Sequence, residues 1–176
     1  MSKQIFEHNV ALGTAVLTVS DSRTEADDSS GHYLLDALQG EGHQVIEKAM
    51  VKDDVYQVRA ILSRWIADET VEAVLVTGGT GFSGRDSTPE AVAPLFDKAI
   101  DGFGELFRHL SYQEIGTSTI QSRAIAGLAN ATVVFCMPGS TGACRTAWNG
   151  ILKDQLSSLH RPCNFVGVLK VSKSSE

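Results

Sequence analysis

Hydrophobic residues along the chain occur either in short unbroken runs or in longer stretches with helical spacing. The short runs are rich in β-branched residues, as is typical of strands that are buried on both faces of a sheet. The longer stretches place apolar residues three and four positions apart, which predicts helices with one buried face. The strand-like runs are residues 13–20, 43–51, 71–76 and 132–137.

The predicted helices fall between these runs. One covers residues 32–39, a second covers residues 55–66, and a long one follows Ser140. Two or three more helices are expected between residues 89 and 128, and residues 164–171 are expected to form a short edge strand. Strands and helices that alternate in this way predict an α/β fold of three layers (αβα), with a mostly parallel central sheet between helices.

The length and composition favour one soluble domain. The 176 residues are predicted to comprise an N-terminal extension (1–10), a single domain (11–170) and a flexible tail (171–176). The net charge of −6, from 15 basic and 21 acidic side chains, disfavours nucleic acid as a partner. Neither a signal peptide nor a membrane span is predicted, so the cytoplasm is the expected location. Three cysteines without a C-x-x-C spacing indicate free, buried thiols.

A glycine-rich segment after the third predicted strand is the strongest candidate for a binding site. Residues 77–81 read Thr-Gly-Gly-Thr-Gly, and hydroxyl side chains and Arg85 follow. Glycines can take positive φ, so that consecutive amides converge on an anion. Thr88 and Pro89 resemble a helix start, which would point its positive end at this loop. The segment matches neither the P-loop nor the dinucleotide-binding pattern, and an ordinary flexible turn is the alternative interpretation.

Asp86 lies within this otherwise anion-binding segment. A carboxylate beside a bound phosphate is repulsive unless a cation lies between them, and Mg²⁺ commonly does so. Asp86 is therefore a candidate Mg²⁺ contact. The alternative is that it only caps the following helix.

Two further loops at predicted strand ends carry polar residues. Residues 20–23 read Ser-Asp-Ser-Arg, and residues 137–142 read Met-Pro-Gly-Ser-Thr-Gly and open the last helix. The first alone is compatible with a simple turn, and the second alone with a simple helix cap. Since loops at the carboxyl ends of parallel strands meet at one edge of the sheet, the three together predict one ligand site there.

Other chemistry is less evident. Arg108 and Arg123 can add positive charge to the site or form surface ion pairs. The five histidines show no spacing typical of metal ligands, and neither a Ser-His-Asp arrangement nor a tightly held protein-ligated metal is predicted.

Several motifs together resemble the MoaB/Mog family of molybdenum cofactor biosynthesis, over about residues 11–169. The most specific is Thr-Gly-Gly-Thr-Gly followed by Asp86-Ser-Thr-Pro-Glu-Ala. Val-Ser-Asp-Ser-Arg, Gly102-Phe-Gly-Glu, Ser122-Arg-Ala and Pro-Gly-Ser support it. Glu114-Ile-Gly-Thr-Ser-Thr and Cys144-Arg-Thr-Ala-Trp are most similar to the MoaB branch.

The resemblance implies an adenylyltransferase that binds molybdopterin and Mg-ATP, joins AMP to the terminal phosphate of the pterin and releases diphosphate. It implies a homo-trimer or a hexamer, with other proteins of the pathway as further partners. A non-catalytic molybdopterin-binding member of the family is the alternative. For the role that the resemblance assigns to Asp53, the adjacent Asp54 is an equal candidate, and either aspartate can instead cap a helix. The implied catalytic residues are Asp86, Asp53 and Thr88, with Asp86 linked to Mg²⁺; the implied binding residues are Thr77, Gly78, Gly79, Thr80, Gly81, Asp21, Ser22, Ser111, Pro138, Gly139 and Ser140.

Overall fold

The four apolar runs of the sequence form the four adjacent parallel strands of a six-stranded sheet. The computed structural model describes residues 6–170. The strand order is β2-β1-β3-β6-β5-β4. β2, β1, β3 and β6 pair in parallel, whereas β5 pairs antiparallel with β6 and β4 antiparallel with β5. The strands are β1 (Gly13–Val19), β2 (Gln44–Val51), β3 (Ala73–Thr77), β4 (Lys98–Ala99), β5 (Ile125–Ala129) and β6 (Thr132–Met137).

Helices cover both faces of this sheet, so the three-layer α/β fold is confirmed. Alternate residues of the central strands point into two separate cores, as the two-residue period of a strand requires. One core joins the sheet to α1, α4 and α5, and the other joins it to α2 and α3. The helices are α1 (Ser29–Gly40), α2 (Val55–Ala67), α3 (Thr88–Val92), α4 (Asp101–Ile115) and α5 (Thr141–Ala147), the last continuing through a π-helical turn (Trp148–Leu152) into α6 (Lys153–Gln155).

Two strands lie where only helices were predicted. β4 and all but the last residue of β5 fall between residues 89 and 128, and the two strands make the sheet mixed at one edge. β5 reads Ile-Ala-Gly-Leu-Ala, and its small residues lack the β-branched side chains that mark a strand. It is ordered by pairing with β6 through a hairpin in which Asn130 and Ala131 have positive φ.

The predicted edge strand near the carboxyl end is wrong over its described part. Residues 164–170 contain no strand, and Val166–Val168 forms a 3-10 helix. Val166 and Leu169 are both buried in the core beside α1 and α4. Their three-residue spacing suits a helical turn, since a strand would turn them to opposite faces. Residues 171–176, which are the predicted tail and contain the last residue of the predicted strand, lie outside the described residues.

Residues 6–10 of the predicted N-terminal extension contact the domain. Phe6 and Val10 pack against the core beside α1, and Asn9 accepts a hydrogen bond from the amide of Ser158 at 3.0 Å. No helix in residues 6–170 is long and apolar enough to span a membrane. All three cysteines are free, as predicted; two are buried, but Cys163 is exposed.

Candidate functional site

A cleft of about 530 Å³ lies at the carboxyl edge of the parallel strands, where ligands bind in open α/β sheets. The loops after β1, β3 and β6 form three of its walls, and the segment between α4 and β5 forms the fourth. Polar and charged side chains and glycines predominate in these walls. The cleft is lined by Val19, Ser20, Asp21, Ser22, Arg23, Asp53, Gly78, Gly79, Thr80, Gly81, Ser83, Arg85, Asp86, Ile115, Ser118, Gln121, Ser122, Pro138 and Gly139.

A sharp turn at Gly78 and Gly79 leads from β3 into the cleft. Their φ angles are +104° and +64°, a region that residues with a Cβ rarely adopt. A Cβ at Gly78 would lie 2.1 Å from the carbonyl oxygen of Val19, and one at Gly79 would lie 2.3 Å from Thr88 Oγ1. The buried Thr88 holds the turn, because its hydroxyl donates to the Gly78 carbonyl at 2.8 Å and its amide to the Gly79 carbonyl at 2.9 Å. Glycine is therefore required at both positions.

The four backbone amides that follow this turn are free to bind a ligand. Within residues 6–170, the N–H groups of residues 79–82 donate to no protein acceptor. Three of these four residues line the cleft. Consecutive unpaired amides carry partial positive charge and form the kind of concave surface that binds anions.

Asp53, which follows β2, connects its own loop to the loops after β1 and β3. The Ser87 hydroxyl and amide donate to its Oδ1 at 2.8 and 3.1 Å. Its own amide donates to Asp21 Oδ1 at 3.2 Å, and its carbonyl accepts from Arg85 at 3.1 Å. Its neighbour Asp54 caps α2 by accepting from two backbone amides at 2.9 Å. The two adjacent aspartates therefore differ: Asp54 is the helix cap, and Asp53 lines the cleft.

Asp86 presents one carboxylate oxygen without a protein donor. The Ser83 amide and hydroxyl donate to Asp86 Oδ2 at 2.8 and 2.6 Å, which orients the side chain. Oδ1 accepts no hydrogen bond from the described part of the chain. Asp86 precedes α3 by two residues, and its carboxylate bonds within the loop, not to an amide of α3. A fixed carboxylate with a free oxygen fits an additional cation ligand.

Of the four arginines in or near the motifs of the sequence analysis, two line the cleft and two do not. Arg85 Nε lies 2.6 Å from Asp21 Oδ2, so this guanidinium holds two loops together. Arg23 also lines the cleft. Arg108 and Arg123 do not line the cleft, and they donate to backbone carbonyls, including those of Ala124 and Gly81 respectively. Their charge is thus directed at the protein and not at the cleft.

The third loop supports the glycine turn. The buried Thr77 hydroxyl donates to the Pro138 carbonyl at 3.1 Å. A Cβ at Gly139 would lie 3.2 Å from the Cα of Gly78, so the two loops approach each other closely. Ser140 is the N-cap of α5 and accepts from the Ala143 amide at 3.1 Å.

Most of the residues predicted for the site come together in this cleft, and four do not line it. Thr77 and Thr88 are buried directly behind the glycine turn, where they hold its backbone. Ser140 caps a helix beside the cleft, and Ser111 is buried in α4. The residues predicted for the site that line the cleft are Asp21, Ser22, Asp53, Gly78, Gly79, Thr80, Gly81, Asp86, Pro138 and Gly139.

The fourth wall contains lining residues that sequence reasoning did not identify. Ile115, Ser118, Gln121 and Ser122 come from the end of α4 and the 3-10 helix that follows it. Ser122 Oγ is buried and has no hydrogen-bond partner in the described part of the chain. The available signal was a run of small polar residues after Gly116, which has positive φ.

A buried ion pair supports the loop after β1. Asp28 caps α1, and Lys48 of β2 lies 2.7 Å from its Oδ2. Burial alone would raise the pKa of Asp28, but hydrogen bonds from Lys48, from the Gly31 amide and from the Thr18 hydroxyl outweigh it and hold this pKa below its ordinary value. Asp28 is therefore charged at neutral pH.

Comparison with known proteins shows which family this chain belongs to. The model of a probable molybdopterin-binding domain matches residues 15–158. The chain is 58% identical over 167 residues to molybdenum cofactor biosynthesis protein B of Escherichia coli K12, covering 95% of this chain and 98% of that protein. The chain belongs to the MoaB/Mog family. The resemblance seen in the motifs is thus confirmed.

Other members of the MoaB/Mog family agree in sequence and structure. Molybdenum cofactor biosynthesis protein B of Bacillus subtilis is 44% identical, over 83% of this chain and 86% of its own. A crystal structure of a molybdenum cofactor biosynthesis protein B superposes with a TM-score of 0.78 at 46% identity, over 81% of this chain and 89% of that one. The tungsten cofactor synthesizing protein MoaB of Pyrococcus furiosus gives 0.73 at 36% identity, over 80% and 90%.

Proposed function

We propose that this chain acts in molybdenum cofactor biosynthesis as a molybdopterin adenylyltransferase. It binds molybdopterin and Mg-ATP, transfers AMP to the terminal phosphate of the pterin and releases diphosphate. One observation carries the proposal: free amides after a glycine turn and a fixed aspartate with a free oxygen face one cleft. Membership of a molybdopterin-binding family and the names of the relatives support the substrate.

The charge of the cleft favours phosphate that arrives with a divalent cation. Three carboxylates line it, from Asp21, Asp53 and Asp86, against the two guanidinium groups of Arg23 and Arg85. A bare polyphosphate in the cleft would be repelled by these carboxylates. Asp86 would hold the magnesium ion that arrives with the nucleotide, and this ion would supply positive charge that offsets the repulsion.

Residues 6–170 contain no group of three or more His, Cys, Asp or Glu that could hold a metal by themselves. The donor set fits an ion shared with the substrate phosphates, since Asp86 offers one free carboxylate oxygen and Mg²⁺ keeps water and phosphate ligands. Bound Mg²⁺ would neutralise the charge that develops on the transferred phosphate. Asp53 would hold the loops of Asp21 and Ser87 together through its hydrogen bonds to both.

No protein nucleophile is needed for this reaction. The attacking group is a phosphate oxygen of the pterin, and the leaving group is the diphosphate of ATP. Catalysis then rests on in-line positioning and on stabilisation of charge by amides, guanidinium groups and Mg²⁺. The amides of residues 79–82 and the Arg23 and Arg85 side chains are the groups of this chain that would contact phosphate oxygens. We also propose that the chain works in the cytoplasm as a homo-trimer or hexamer.

Diphosphate release from ATP tests the proposal. The protein is incubated with ATP and Mg²⁺, with and without molybdopterin, and diphosphate is measured over time. Release that requires both molybdopterin and Mg²⁺ is expected. Tight binding of molybdopterin without any release of diphosphate would contradict catalysis and favour a non-catalytic binding protein.

A further inference from the structure

Arg123 bonds to the glycine-rich loop from outside the cleft. Its Nε donates to the carbonyls of Thr80 and Gly81 at 3.2 and 2.9 Å, and one terminal nitrogen donates to the carbonyl of Asp86 at 3.0 Å. Its backbone amide also donates to the Thr80 carbonyl, at 3.3 Å. A single side chain thus holds three carbonyls of the loop that carries the free amides.

These bonds determine which way the loop amides point. In a trans peptide, the C=O of one residue and the N–H of the next point in opposite directions. The carbonyls of Thr80 and Gly81 point to Arg123, so the N–H groups of Gly81 and Phe82 point away from it. Neither N–H has an acceptor within residues 6–170. The two N–H groups therefore lie on the side of the loop away from Arg123, which does not line the cleft, whereas Gly81 does.

A third peptide unit, between Asp86 and Ser87, has the same geometry, and both its carbonyl and its N–H are hydrogen-bonded. The carbonyl of Asp86 accepts from Arg123, and the N–H of Ser87, in the same peptide unit, donates to Asp53 at 3.1 Å. Asp53 lines the cleft, whereas Arg123 does not. The side opposite Arg123 is therefore the cleft side at this peptide unit.

The remaining contacts of the Arg123 guanidinium are with Glu90 and Phe82, which do not line the cleft. The other terminal nitrogen pairs with the carboxylate of Glu90, and the guanidinium lies 5.0 Å from the ring centre of Phe82. The side chain is only 21% exposed. The planar fork of arginine suits this set of bonds, and a lysine ammonium cannot reproduce it.

We propose that Arg123 is a positioning residue that orients the peptide units of residues 80–82 so that their amides face a bound phosphate, and that fixes the peptide unit of Asp86 beside them. The inference deepens the proposed function, because the phosphate concerned is that of the nucleotide or of the pterin. Arg123 acts through the loop backbone and does not contact the phosphate.

The substitution Arg123→Lys tests this inference, with Arg59→Lys as the matched control. Arg59 also donates to two backbone carbonyls, those of Glu90 and Ala91, at 2.9 and 3.0 Å, but it contacts nothing in residues 80–86. Binding of inorganic diphosphate with Mg²⁺ is measured by calorimetry, and amide hydrogen exchange is measured across the loop. We expect binding to weaken about tenfold or more in Arg123→Lys, with faster exchange at residues 80–86, and little change in Arg59→Lys.

Chemical rescue separates orientation from a general loss of folding. In Arg123→Ala, free guanidinium ion is expected to restore part of the diphosphate affinity, whereas methylammonium, which lacks the planar fork, is not. Affinity and loop exchange that are equal in Arg123→Lys and Arg59→Lys would overturn the proposal. The outcome is separate from that of the proposed function. Diphosphate binding that depends on Arg123, in a protein that never adenylylates molybdopterin, would support the positioning role and reject the enzyme.

Discussion

Replacement of Gly79 by alanine tests the central feature of the cleft. The φ angle of Gly79 is +64°, and an added Cβ would lie 2.3 Å from Thr88 Oγ1 and 2.7 Å from Asp53 Oδ2. Two costs follow. The left-handed conformation costs an alanine about 1–2 kcal/mol, and the collision with two oriented polar groups costs about 1–3 kcal/mol more.

A glycine elsewhere in the chain separates these two costs. Gly42 has φ +85° and nothing within 4 Å of an added Cβ, so Gly42→Ala carries the backbone cost without the collision. For a domain of this size, about 1 kcal/mol corresponds to about 2–4 °C in melting temperature. We therefore expect Gly79→Ala to melt below Gly42→Ala by about 2–12 °C.

Thermal unfolding and diphosphate binding are measured on both variants. If the loop yields to relieve the collision, the melting temperature falls less and the affinity for Mg-diphosphate falls more, because the amides of residues 79–82 move together. The double variant Gly79→Ala, Thr88→Ala should lose less stability than the two single changes added, since the alanine at position 88 removes the hydroxyl in the way. Wild-type affinity and a melting temperature equal to that of Gly42→Ala would refute this account of the turn.

Three further predictions concern single side chains. Asp86→Asn should lower adenylyl transfer at least about a hundredfold, since the amide cannot supply the charge that Mg²⁺ requires, and should leave molybdopterin binding largely intact; Asp54→Asn, which keeps a good helix cap, should retain activity. Ser122→Ala should change the free energy of unfolding by no more than about 0.5 kcal/mol in thermal or denaturant unfolding, because its hydroxyl has no hydrogen bond to lose within residues 6–170. Asp28 should stabilise the wild type over Asp28→Asn at neutral pH. Its folded pKa is lowered, so this contribution is complete above the unfolded pKa of about 4 and is lost as the pH falls through the folded pKa.

Each of these has an outcome that contradicts it. Loss of molybdopterin affinity together with turnover in Asp86→Asn would make Asp86 a binding or structural residue. Marked destabilisation of Ser122→Ala would show a hydrogen bond in solution that the structure lacks. A stability gap between wild type and Asp28→Asn that stays constant from neutral pH to well below 4, in denaturant unfolding, would mean that the charge of Asp28 contributes nothing.

The parallel strands of the central sheet were predictable because burial on both faces leaves a direct trace in the sequence. β1, β3 and β6 are continuous apolar runs, and all three are almost wholly buried. β5 leaves no such trace, since its pairing with β6 across the Asn130 hairpin orders a segment of small residues. Residues 164–170 were instead predicted as a strand that the structure does not contain, because an apolar segment alone does not distinguish a strand from a helical turn.

The site residues were likewise predictable where the evidence is local in the sequence, and not where it depends on the fold. The glycine turn and the carboxyl ends of the strands are local features, so the residues there could be named from the sequence. The choice between Asp53 and Asp54 could not be made, because both positions precede a helix and only the three-dimensional path of β2 shows which one faces Asp21 and Ser87. The wall at residues 115–122 was missed because small polar residues after a helix are common in ordinary loops.

The arginines show why counting charges says little about the ligand. From the sequence, Arg108 and Arg123 could either add positive charge to the site or form surface ion pairs. Both bond to backbone carbonyls, Arg123 also pairs with Glu90, and Arg85 is paired with Asp21. Arg23 is then the guanidinium in the cleft lining that is not paired with a carboxylate in residues 6–170. Recognition of an anion depends to a large part on amides, whose direction is set by the carbonyls on the other end of each peptide unit. Arginines that bond to those carbonyls contribute to phosphate binding by geometry and not by charge, so a chain with a net charge of −6 can still present an anion site.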